Sequence, residues 1–432
     1  MGKQVHVIGG GLAGSEACFF LLKKGYEVHL HECRPQVNDH AHETDLFGEL
    51  VCSNSLKSKQ LENACGLLKE EMRILGSITM EAAAHNEVPS GNALSVDRLG
   101  FAQEITAKLR SFPNLFIHHE EVTSLPEGPT ILATGPLTSP ALLAHLEGLL
   151  GAGALSFFDA SAPIVKKESI DFSKAYFKSR YEQGDEAYIN CPFEKDEYLR
   201  FVTELLQAEK APLHSFDTQY FEGCLPVEVI ASRGLDTLRH GPLKPMGLER
   251  PDGSRPYAVL QLRQDTKLGD AYNLVGFQTN LTYPEQKRVF SMIPGLEHAV
   301  FIRYGLMHRN AYLDSPHLLR RNLSMAIRED VFVAGQLSGV EGYVESAAFG
   351  ILAAICLDRY LSGAPEALPP RSTILGALLA YITTPSHGRF TPMNANWALI
   401  SGATKANRES CVRSALEAIQ SYRGEIDGRD PR

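Results

Sequence analysis

Apolar residues follow two different periods in the first 32 residues of the chain. The segment 5–8 is apolar and rich in β-branched residues, which is typical of a strand buried on both faces. Apolar positions then recur at helical intervals from 12 to 22, and two lysines followed by Gly25 indicate the helix end. A second strand is expected over 27–31, ending at Glu32. The pattern therefore predicts a β-α-β unit at the start of the chain.

Glycines occupy the turn between the first strand and the helix. Gly9, Gly11 and Gly14 stand in the spacing G-x-G-x-x-G. In this spacing the first glycine permits a tight turn, the second lets backbone N–H groups approach a pyrophosphate, and the third lets helix and strand pack closely. The helix N-terminus adds positive potential, and Glu32 can accept hydrogen bonds from adenosine ribose hydroxyls. Together these features predict a dinucleotide site.

Two later apolar strands are expected to return to the same sheet. The run 130–135, TILATG, is frequent in flavoproteins that bind two dinucleotides, and it favours FAD over NAD. The run 330–336, DVFVAGQ, is followed by Gly339, Gly342 and a helical pattern over 344–361. A late strand-glycine-helix unit of this kind closes over the flavin ring in such proteins. The sequence therefore predicts an α/β fold with a discontinuous, Rossmann-like FAD-binding domain.

The region between these strands has a different pattern, with short strands, aromatic residues and proline-bounded loops. The chain is also long for one hydrophobic core, which favours two packed regions. We expect the first part of the FAD-binding domain over 1–150 and an inserted α+β substrate domain over 151–328. The FAD-binding domain then returns over 329–432, with a linker at 365–370 and a helical tail.

Several further elements are expected within the first part. Helices are predicted over 62–75 and 94–109, the second with Ser95 as its N-cap, and a short strand is predicted over 115–118. The segment 38–58 is polar and predicts a loop.

Composition restricts the class of protein. Apolar residues make up 44% of the 432 residues and charged residues 22%, as in ordinary globular proteins. The sequence has no apolar run of the length that spans a bilayer and no signal-peptide pattern, so neither a membrane span nor export is expected. The eight cysteines form no C-x-x-C pair, which favours reduced thiols in the cytoplasm. A net charge of −9 means that a nucleic acid would have to bind a local basic face.

Two cysteines are candidates for chemistry. Cys52 lies in LVCSNSLKS and Cys224 in FEGCLPVEVIASRG, where polar and charged residues surround them. A thiol becomes a good nucleophile only when a cation or dipole favours its thiolate, and Lys57 or Arg233 could supply that charge. The simpler interpretation of a free cysteine is a small buried apolar residue. That interpretation is expected for Cys18, Cys65 and Cys356.

Two basic groups could contact an anion or a nucleobase. The first contains Arg239 and Lys244, and the second contains Arg303, His308 and Arg309, each close to glycines or aromatic residues. The histidines show no metal-ligand spacing, so no metal site is expected, and the chain has no G-x-S-x-G or Walker motif.

The longer motifs are specific enough to indicate a family. The chain resembles the folate- and FAD-dependent tRNA (uracil-5-)-methyltransferases, the TrmFO family, over nearly its whole length. The segments that carry this resemblance are VIGGGLAGSEA (7–17), ELVCSNSLKS (49–58), FEGCLPVEVIASRG (221–234), RHGPLKPMGL (239–248), NLVGFQTNLTYPEQKRVF (273–290), RYGLMHRNAYL (303–313), AGQLSGVEGYVESAAFG (334–350) and TPMNANW (391–397). The glycine fingerprint is shared by many flavoproteins, whereas the two cysteine motifs and VEGYVESAA are much more specific.

The resemblance implies an activity and its reactants. The expected reaction forms 5-methyluridine at position 54 of the tRNA T-loop, with carbon from 5,10-methylenetetrahydrofolate and electrons from FADH2 that NAD(P)H regenerates. It implies a FAD domain of the glutathione-reductase and GidA type and a tRNA face on the inserted domain, with no protein partner evident. Cys224 is expected to attack uracil C6, with Cys52 as a base or second thiol near the flavin, and these two roles could be exchanged.

The resulting hypothesis for the sites covers the following residues. The cofactor is expected at Gly9, Gly10, Gly11, Ala13, Gly14, Glu32, Arg34, Ala133, Thr134, Gly135, Gly335, Gln336, Gly339, Gly342 and Tyr343. The folate tail or tRNA phosphates are expected at Arg239, Lys244, Arg303, His308 and Arg309.

Three other functions fit parts of the pattern. One is the related GidA-like flavoprotein that modifies the wobble uridine of tRNA, which shares the flavin motifs. Another is an NAD(P)H-dependent flavin or thiol oxidoreductase that acts on small molecules without RNA. A third is a structural FAD-binding protein without activity, which the polar surroundings of the two cysteines disfavour.

Overall fold

The structure is a computed structural model. It describes residues 3–37, 42–151, 155–160, 162–180, 188–211, 225–265, 269–305, 307–385 and 390–428, with the backbone alone for 155–160 and 307–310.

The described residues form strands and helices that alternate along much of the chain. The strands are β1 (Gln4–Ile8), β2 (Glu27–Glu32), β3 (Ser55–Ser58), β4 (Glu87–Val88), β5 (Ala93–Val96), β6 (Leu115–His119), β7 (Thr130–Leu132), β8 (Leu155–Ala160), β9 (Ile164–Lys166), β10 (Tyr176–Phe177), β11 (Tyr188–Phe193), β12 (Ala258–Gln264), β13 (Ala271–Leu274), β14 (Phe301–Arg303), β15 (Met307–Tyr312) and β16 (Val331–Val333). The α-helices are α1 (Leu12–Lys23), α2 (Ala64–Leu75), α3 (Ile78–His85), α4 (Arg98–Arg110), α5 (Pro140–Leu150), α6 (Lys195–Gln207), α7 (Val227–Ser232), α8 (Thr237–His240), α9 (Tyr283–Phe290), α10 (Ser315–Leu318), α11 (Tyr343–Ser362), α12 (Ile374–Thr383) and α13 (Arg408–Ile426).

A five-stranded parallel sheet forms the centre of the cofactor-binding part. Its strand order is β16-β7-β1-β2-β6, and each neighbouring pair is parallel. The alternate residues Val5, Val7, Val28 and Leu30 are fully buried and belong to one core with α1 and α11. The predicted α/β, Rossmann-like fold is therefore confirmed, including the return of the late strand β16 to the sheet beside β7.

Small residues let α1 and α11 approach closely. A Cβ added to Gly350 on α11 would lie 2.1 Å from the backbone oxygen of Ala13 on α1. The other face of the sheet is partly covered by α5, whose Leu142, Leu143 and Leu146 are buried in a second cluster with Ile8. These contacts fix the position of the glycine turn at the end of β1.

The region between β7 and β16 contains a six-stranded sheet of order β10-β11-β12-β13-β9-β14, and its strand pairs are antiparallel. Its core combines sheet residues with α6, α7 and α9. Aromatic side chains fill much of it, and Phe193, Tyr198, Phe201, Phe277 and Phe290 are all buried. The domain boundaries inferred from the sequence remain predictions.

The prediction of a helix over 94–109 is wrong at the start of that range. Residues Ala93–Val96 form β5, which pairs with β3 and β4, and Ser95 is a buried strand residue. The N-cap is Asp97, whose side chain accepts a hydrogen bond from the backbone N–H of Gly100 at 2.8 Å. Strand pairing therefore overrides the local helical pattern at these residues. The same pairing places a strand, β3, at the end of the segment predicted as a loop.

The other predicted elements differ from the structure mainly at their ends. The helix expected over 62–75 begins at Ala64, and the strands expected over 130–135 and 330–336 end at Leu132 and Val333. Within the described part of the chain, the model contains no helix with the length and apolar character that crossing a bilayer requires.

Candidate cofactor and active site

A cavity of about 510 Å³ lies beside the glycine turn at the carboxyl end of β1. Ligands of open α/β sheets bind at this end of the strands. The predicted cofactor residues that line it are Gly9, Gly10, Gly11, Ala13, Glu32, Arg34, Ala133, Thr134, Gly135, Gln336 and Tyr343. The lining does not include Gly14, Gly335, Gly339 and Gly342. Close packing against neighbouring atoms explains why glycine occupies these four positions.

The glycines of the fingerprint have three different surroundings. Gly9 has a φ of +101°, and a Cβ there would lie 2.6 Å from the oxygen of Ala133. A Cβ on Gly14 would lie 1.8 Å from the oxygen of Gly9, so helix and strand pack too closely for any side chain. A Cβ on Gly11 would meet no atom of the described residues within 4 Å. The backbone of Gly11 therefore borders open space in which a phosphate group can be placed.

The N-terminus of α1 adds a suitable electrostatic environment. Gly11 is its N-cap, and no side chain caps the first turn. Free backbone N–H groups and the helix dipole favour an anion at this point. The open space at Gly11 and the uncapped helix together fit the pyrophosphate of FAD.

Glu32 and Arg34 form an ion pair at the end of β2. The Nε and Nη2 of Arg34 donate to the two carboxylate oxygens of Glu32 at 2.9 and 3.1 Å, and the N–H of Gly10 donates to Oε2 at 2.8 Å. Burial opposes ionisation of Glu32, but Arg34 and these N–H groups lower its pKa to about 2. Glu32 is therefore an anion that fixes the glycine turn, and its contact with a ribose remains a prediction.

Cys52 lines the same cavity and is half-buried. Its loop is attached to the start of α11, because Tyr343 Oη accepts hydrogen bonds from the backbone N–H groups of Cys52 at 2.6 Å and Ser53 at 3.1 Å. A thiol and a predicted flavin-binding helix are thus brought to one place by residues far apart in the sequence.

Two arginines that the sequence analysis did not identify lie on either side of Cys52. Nη1 of Arg98 donates to the oxygen of Leu50 at 2.9 Å, and Nη2 of Arg263 donates to Oγ of Ser53 at 2.5 Å. No spacing rule in the sequence connects them with the cysteine, because α4 and β12 come together with this loop only in the fold.

Lys57, predicted as a cationic neighbour of a reactive thiol, has a different partner. Its Nζ lies 3.3 Å from Oε1 of Glu345, a buried carboxylate that also accepts a hydrogen bond from the N–H of Ala395 at 3.0 Å. Lys57 itself has a left-handed backbone, with φ of +63°. Cys18, Cys65 and Cys356 are buried, as expected from the sequence.

The predicted substrate residues are only partly described. Cys224 and the side chains of His308 and Arg309 lie outside the described residues. Nε of Arg303 lies 3.3 Å from Glu43. The Arg239 guanidinium stacks on the Tyr257 ring at 3.7 Å.

Arg239 also lines a second cavity, of about 840 Å³, on the inserted region. Its other charged lining residues are Lys178, Lys195, Arg255, Glu194 and Glu249. Lys244 is half-buried near this cavity. Arg239 and Arg303 thus contact different parts of the chain.

In the part of the chain that the structure describes, no group of three or more His, Cys, Asp or Glu residues could hold a metal ion.

Comparison with known proteins shows the family of this chain. The model of the family described as "Glucose inhibited division protein A", GIDA, matches residues 4–365. A solved structure of Aquifex aeolicus GidA is similar in fold, with a TM-score of 0.72 and 18% identity over 98% of this chain and 73% of that chain.

Curated relatives are much more similar in sequence. A methylenetetrahydrofolate–tRNA-(uracil-5-)-methyltransferase TrmFO from Exiguobacterium sibiricum is 54% identical over 430 residues, which is 97% of this chain and 99% of that protein. Its counterpart from Listeria monocytogenes is 51% identical over 434 residues, which is 99% of this chain and all of that protein. The chain therefore belongs to the GidA family and, within it, to the TrmFO proteins.

Proposed function

We propose that this protein forms 5-methyluridine at position 54 of the tRNA T-loop, with 5,10-methylenetetrahydrofolate as carbon donor and FADH2, reduced by NAD(P)H, as electron donor. The observation that carries the proposal is that Cys52 lines the cavity of the glycine fingerprint. Identity of 50–54% to TrmFO proteins over nearly the whole chain supports the same activity. A cytoplasmic location is proposed with it, because tRNA and folate are the reactants.

The reaction requires a nucleophile because uracil C5 is otherwise unreactive toward a carbon donor. A thiolate, proposed as Cys224, adds to C6 and makes C5 nucleophilic. C5 then bonds to the folate methylene, and both of the bonds that join this carbon to folate nitrogens break as those nitrogens take up protons. The C5 proton leaves to a base, and the thiolate leaves C6 as the methylene is reduced. Bound, reduced FAD supplies the two electrons that convert the methylene into a methyl group. Cys52 is proposed as the base, since it lines the cofactor cavity.

The described residues have separate proposed roles. The glycine turn and the α1 N-terminus bind the pyrophosphate, and Glu32 holds the turn in place through the N–H of Gly10. Tyr343 orients the loop of Cys52. Lys244 and Arg303 are proposed to contact anionic groups of tRNA or folate.

The activity is tested with the flavin-loaded protein, methylenetetrahydrofolate, NADH or NADPH, and an unmodified tRNA transcript. We expect 5-methyluridine in the nucleoside digest, and none with a transcript that has cytidine at position 54. Modification at the wobble uridine would instead support the GidA-like function. Steady NAD(P)H oxidation without a change in tRNA would support a small-molecule oxidoreductase.

The cysteine roles are tested with RNA that carries 5-fluorouridine, which traps the covalent adduct. We expect an adduct with Cys52→Ala and none with Cys224→Ala. The reverse result would exchange the two roles, and adducts with both variants would contradict the assignment.

A further inference from the structure

Three aromatic rings form a ladder on the inserted region. The Tyr283 and Tyr304 rings are stacked with their centroids 5.1 Å apart and their planes at 17°, and the Tyr304 and Phe301 rings are stacked at 5.2 Å and 16°. Phe301 packs against the buried core of the region, whereas Tyr283 has 51% of its surface exposed. The ladder therefore runs from the core to the solvent and ends in an open ring. All three rings lie outside the cofactor cavity.

The ladder is held in place by one buried side chain. Gln286, on α9, donates through Nε2 to the oxygen of Gly305 at 2.8 Å and accepts through Oε1 from the N–H of Gly305 at 2.7 Å. These bonds join the residue after Tyr304 to the helix that begins at Tyr283. The rings are thus stacked before any ligand binds, which lowers the entropy cost of binding.

The strand β14 connects the ladder to the rim of the cofactor cavity. It contains Phe301 and Arg303, and Nε of Arg303 lies 3.3 Å from Oε1 of Glu43. Glu43 follows His42, which lines the cavity. A polymer that reaches into the cavity can therefore also contact the ladder.

The surface around the exposed end of the ladder has no net charge. Among the described residues, the charged ones on α9 and next to its start are three of each sign: Lys210, Lys287, Arg288, Glu204, Glu209 and Glu285. Lys287 lies one turn from Tyr283 on the same face of α9 and has no ion-pair partner among the described residues. Ring stacking, rather than long-range attraction, is therefore the main interaction that this end of the ladder offers.

We propose that the ladder is a platform on which one unstacked nucleobase of the bound tRNA stacks, with Tyr283 as the contact ring and Lys287 within reach of an adjoining phosphate. Loops of RNA present unstacked bases, and proteins recognise such bases by stacking on aromatic side chains. Every base has a π-face, so the platform accepts any of the four. The identity of the ligand as tRNA rests on the proposed function.

The platform is tested by binding alone, with flavin-loaded protein and a tRNA transcript in the absence of folate and NAD(P)H. Tyr283→Leu keeps an apolar side chain but removes the ring, and it should weaken binding about tenfold, within the range for loss of one base–aromatic stack. Tyr283→Phe and Tyr283→Trp keep a ring and should bind as the wild type does. Binding by Tyr283→Leu that equals the wild type would overturn the proposal.

Salt dependence separates stacking from charge. The factor lost in Tyr283→Leu should be the same at 50 and 200 mM salt, because no charge is removed. Lys287→Gln should instead reduce the slope of log K against log salt by about 1. A loss in Tyr283→Leu that disappears at the higher salt would contradict stacking.

The matched control is Phe172→Leu, which removes another exposed ring of the inserted region, stacked on Phe177 at 5.4 Å and 14°. It should bind tRNA as the wild type does. Flavin content and thermal unfolding identify a variant that fails to fold, and Tyr283→Phe against Tyr283→Trp and Lys287→Gln then still tests the platform, since weak binding by both ring-retaining variants would overturn it.

Two further outcomes separate this proposal from the proposed function. If Tyr283→Leu weakens tRNA binding but the wild type forms no 5-methyluridine, the platform stands and the proposed function fails. If the wild type forms 5-methyluridine and Tyr283→Leu binds tRNA normally, the platform fails alone. A second copy of the chain is the other occupant that the edge strand β14 could accept. A wild-type dimer in analytical ultracentrifugation that Tyr283→Leu dissociates would overturn the assignment to RNA.

Discussion

The phenol oxygen of Tyr343 accepts hydrogen bonds from two consecutive backbone N–H groups, those of Cys52 and Ser53, at 2.6 and 3.1 Å. Tyr343 is the first residue of α11, the helix that packs on α1 and closes the cofactor cavity. Tyr343 therefore connects the Cys52 loop directly to the helix that borders the cofactor cavity.

Tyr343→Phe should slow methyl transfer without loss of FAD. The substitution leaves two backbone donors without their acceptor, at a cost of about 1–3 kcal/mol when such groups are buried. If about 1.4 kcal/mol of this affects the placement of Cys52 in the transition state, the rate of 5-methyluridine formation falls about tenfold. Single-turnover kinetics measures the rate of 5-methyluridine formation, and flavin absorbance measures the FAD content. Tyr360→Phe, on the exposed part of α11, is the control, and an unchanged rate for Tyr343→Phe would contradict this role.

Gly11→Ala and Gly14→Ala should separate cofactor binding from folding. A Cβ at Gly11 projects into open space and its φ of −69° suits alanine, so the variant should fold normally. It should nevertheless bind FAD about tenfold more weakly, equivalent to about 1.4 kcal/mol, because the methyl group stands where the pyrophosphate approaches.

Gly14→Ala, in contrast, forces a methyl group to 1.8 Å from the oxygen of Gly9. We expect it to lower the free energy of unfolding by about 1–3 kcal/mol, the usual cost of overpacking. For both variants, FAD titration measures the affinity for the cofactor, and urea denaturation of the apoprotein measures the free energy of unfolding. Equal effects of both variants on stability would contradict the assignment of Gly11 to the ligand.

The start of the fold could be predicted from the sequence because its signals are local. The apolar strand, the glycine spacing and the helical period all lie within residues 4–32, and the structure agrees with them almost residue by residue. The stretch 93–96 could not be predicted in this way. Its buried Leu94 and Val96 suit either a helix or a strand, and pairing with β3 and β4 decides for the strand.

The cationic surroundings of Cys52 could not be predicted from the sequence either. Lys57 is near Cys52 in the sequence but is bound to Glu345. Arg98 and Arg263 are distant in the sequence, and they reach the loop only because α4 and β12 pack behind it. Local sequence identifies a reactive residue type, whereas the charges that act on it depend on tertiary contacts.

Lys244→Gln should weaken tRNA binding in a salt-dependent way. Lys244 has no ion-pair partner among the described residues, so its charge is available to a phosphate. Loss of one phosphate contact should reduce the slope of log K against log salt by about 1. Filter binding of a tRNA transcript between 50 and 200 mM salt measures this slope.

Arg239 is a less suitable residue for this test, because it stacks on Tyr257 and donates to the backbone oxygen of that residue at 3.0 Å. Its loss would remove these local contacts as well as its charge. Arg73→Gln, outside that region, should leave the slope unchanged. If Lys244→Gln also leaves it unchanged, Lys244 does not contact the tRNA backbone.

The parallel sheet carries a cluster of four histidines that should make the protein less stable in acid. Nδ1 of His6 lies 2.9 Å from Nε2 of His31, and Nδ1 of His29 lies 2.8 Å from Nε2 of His118. Burial, and then the neighbouring histidines, lower the pKa of His6 from 6.5 to about 4, and the pKa of His118 is lowered for the same reasons, although Glu120 opposes the shift.

The unfolded chain therefore binds more protons than the folded protein between about pH 6.5 and pH 4. The lowered pKa of His6 does not reduce the free energy of unfolding above about pH 6.5. Below that pH the free energy of unfolding falls progressively as the pH approaches 4. Urea denaturation at several pH values should show this loss. His6→Gln should reduce the slope of the free energy of unfolding against pH in that interval. His317→Gln removes an exposed histidine that is paired with Asp314, and it should leave the slope unchanged. If His6→Gln and His317→Gln gave the same pH dependence as the wild type, the histidine cluster would not be the source of the acid sensitivity.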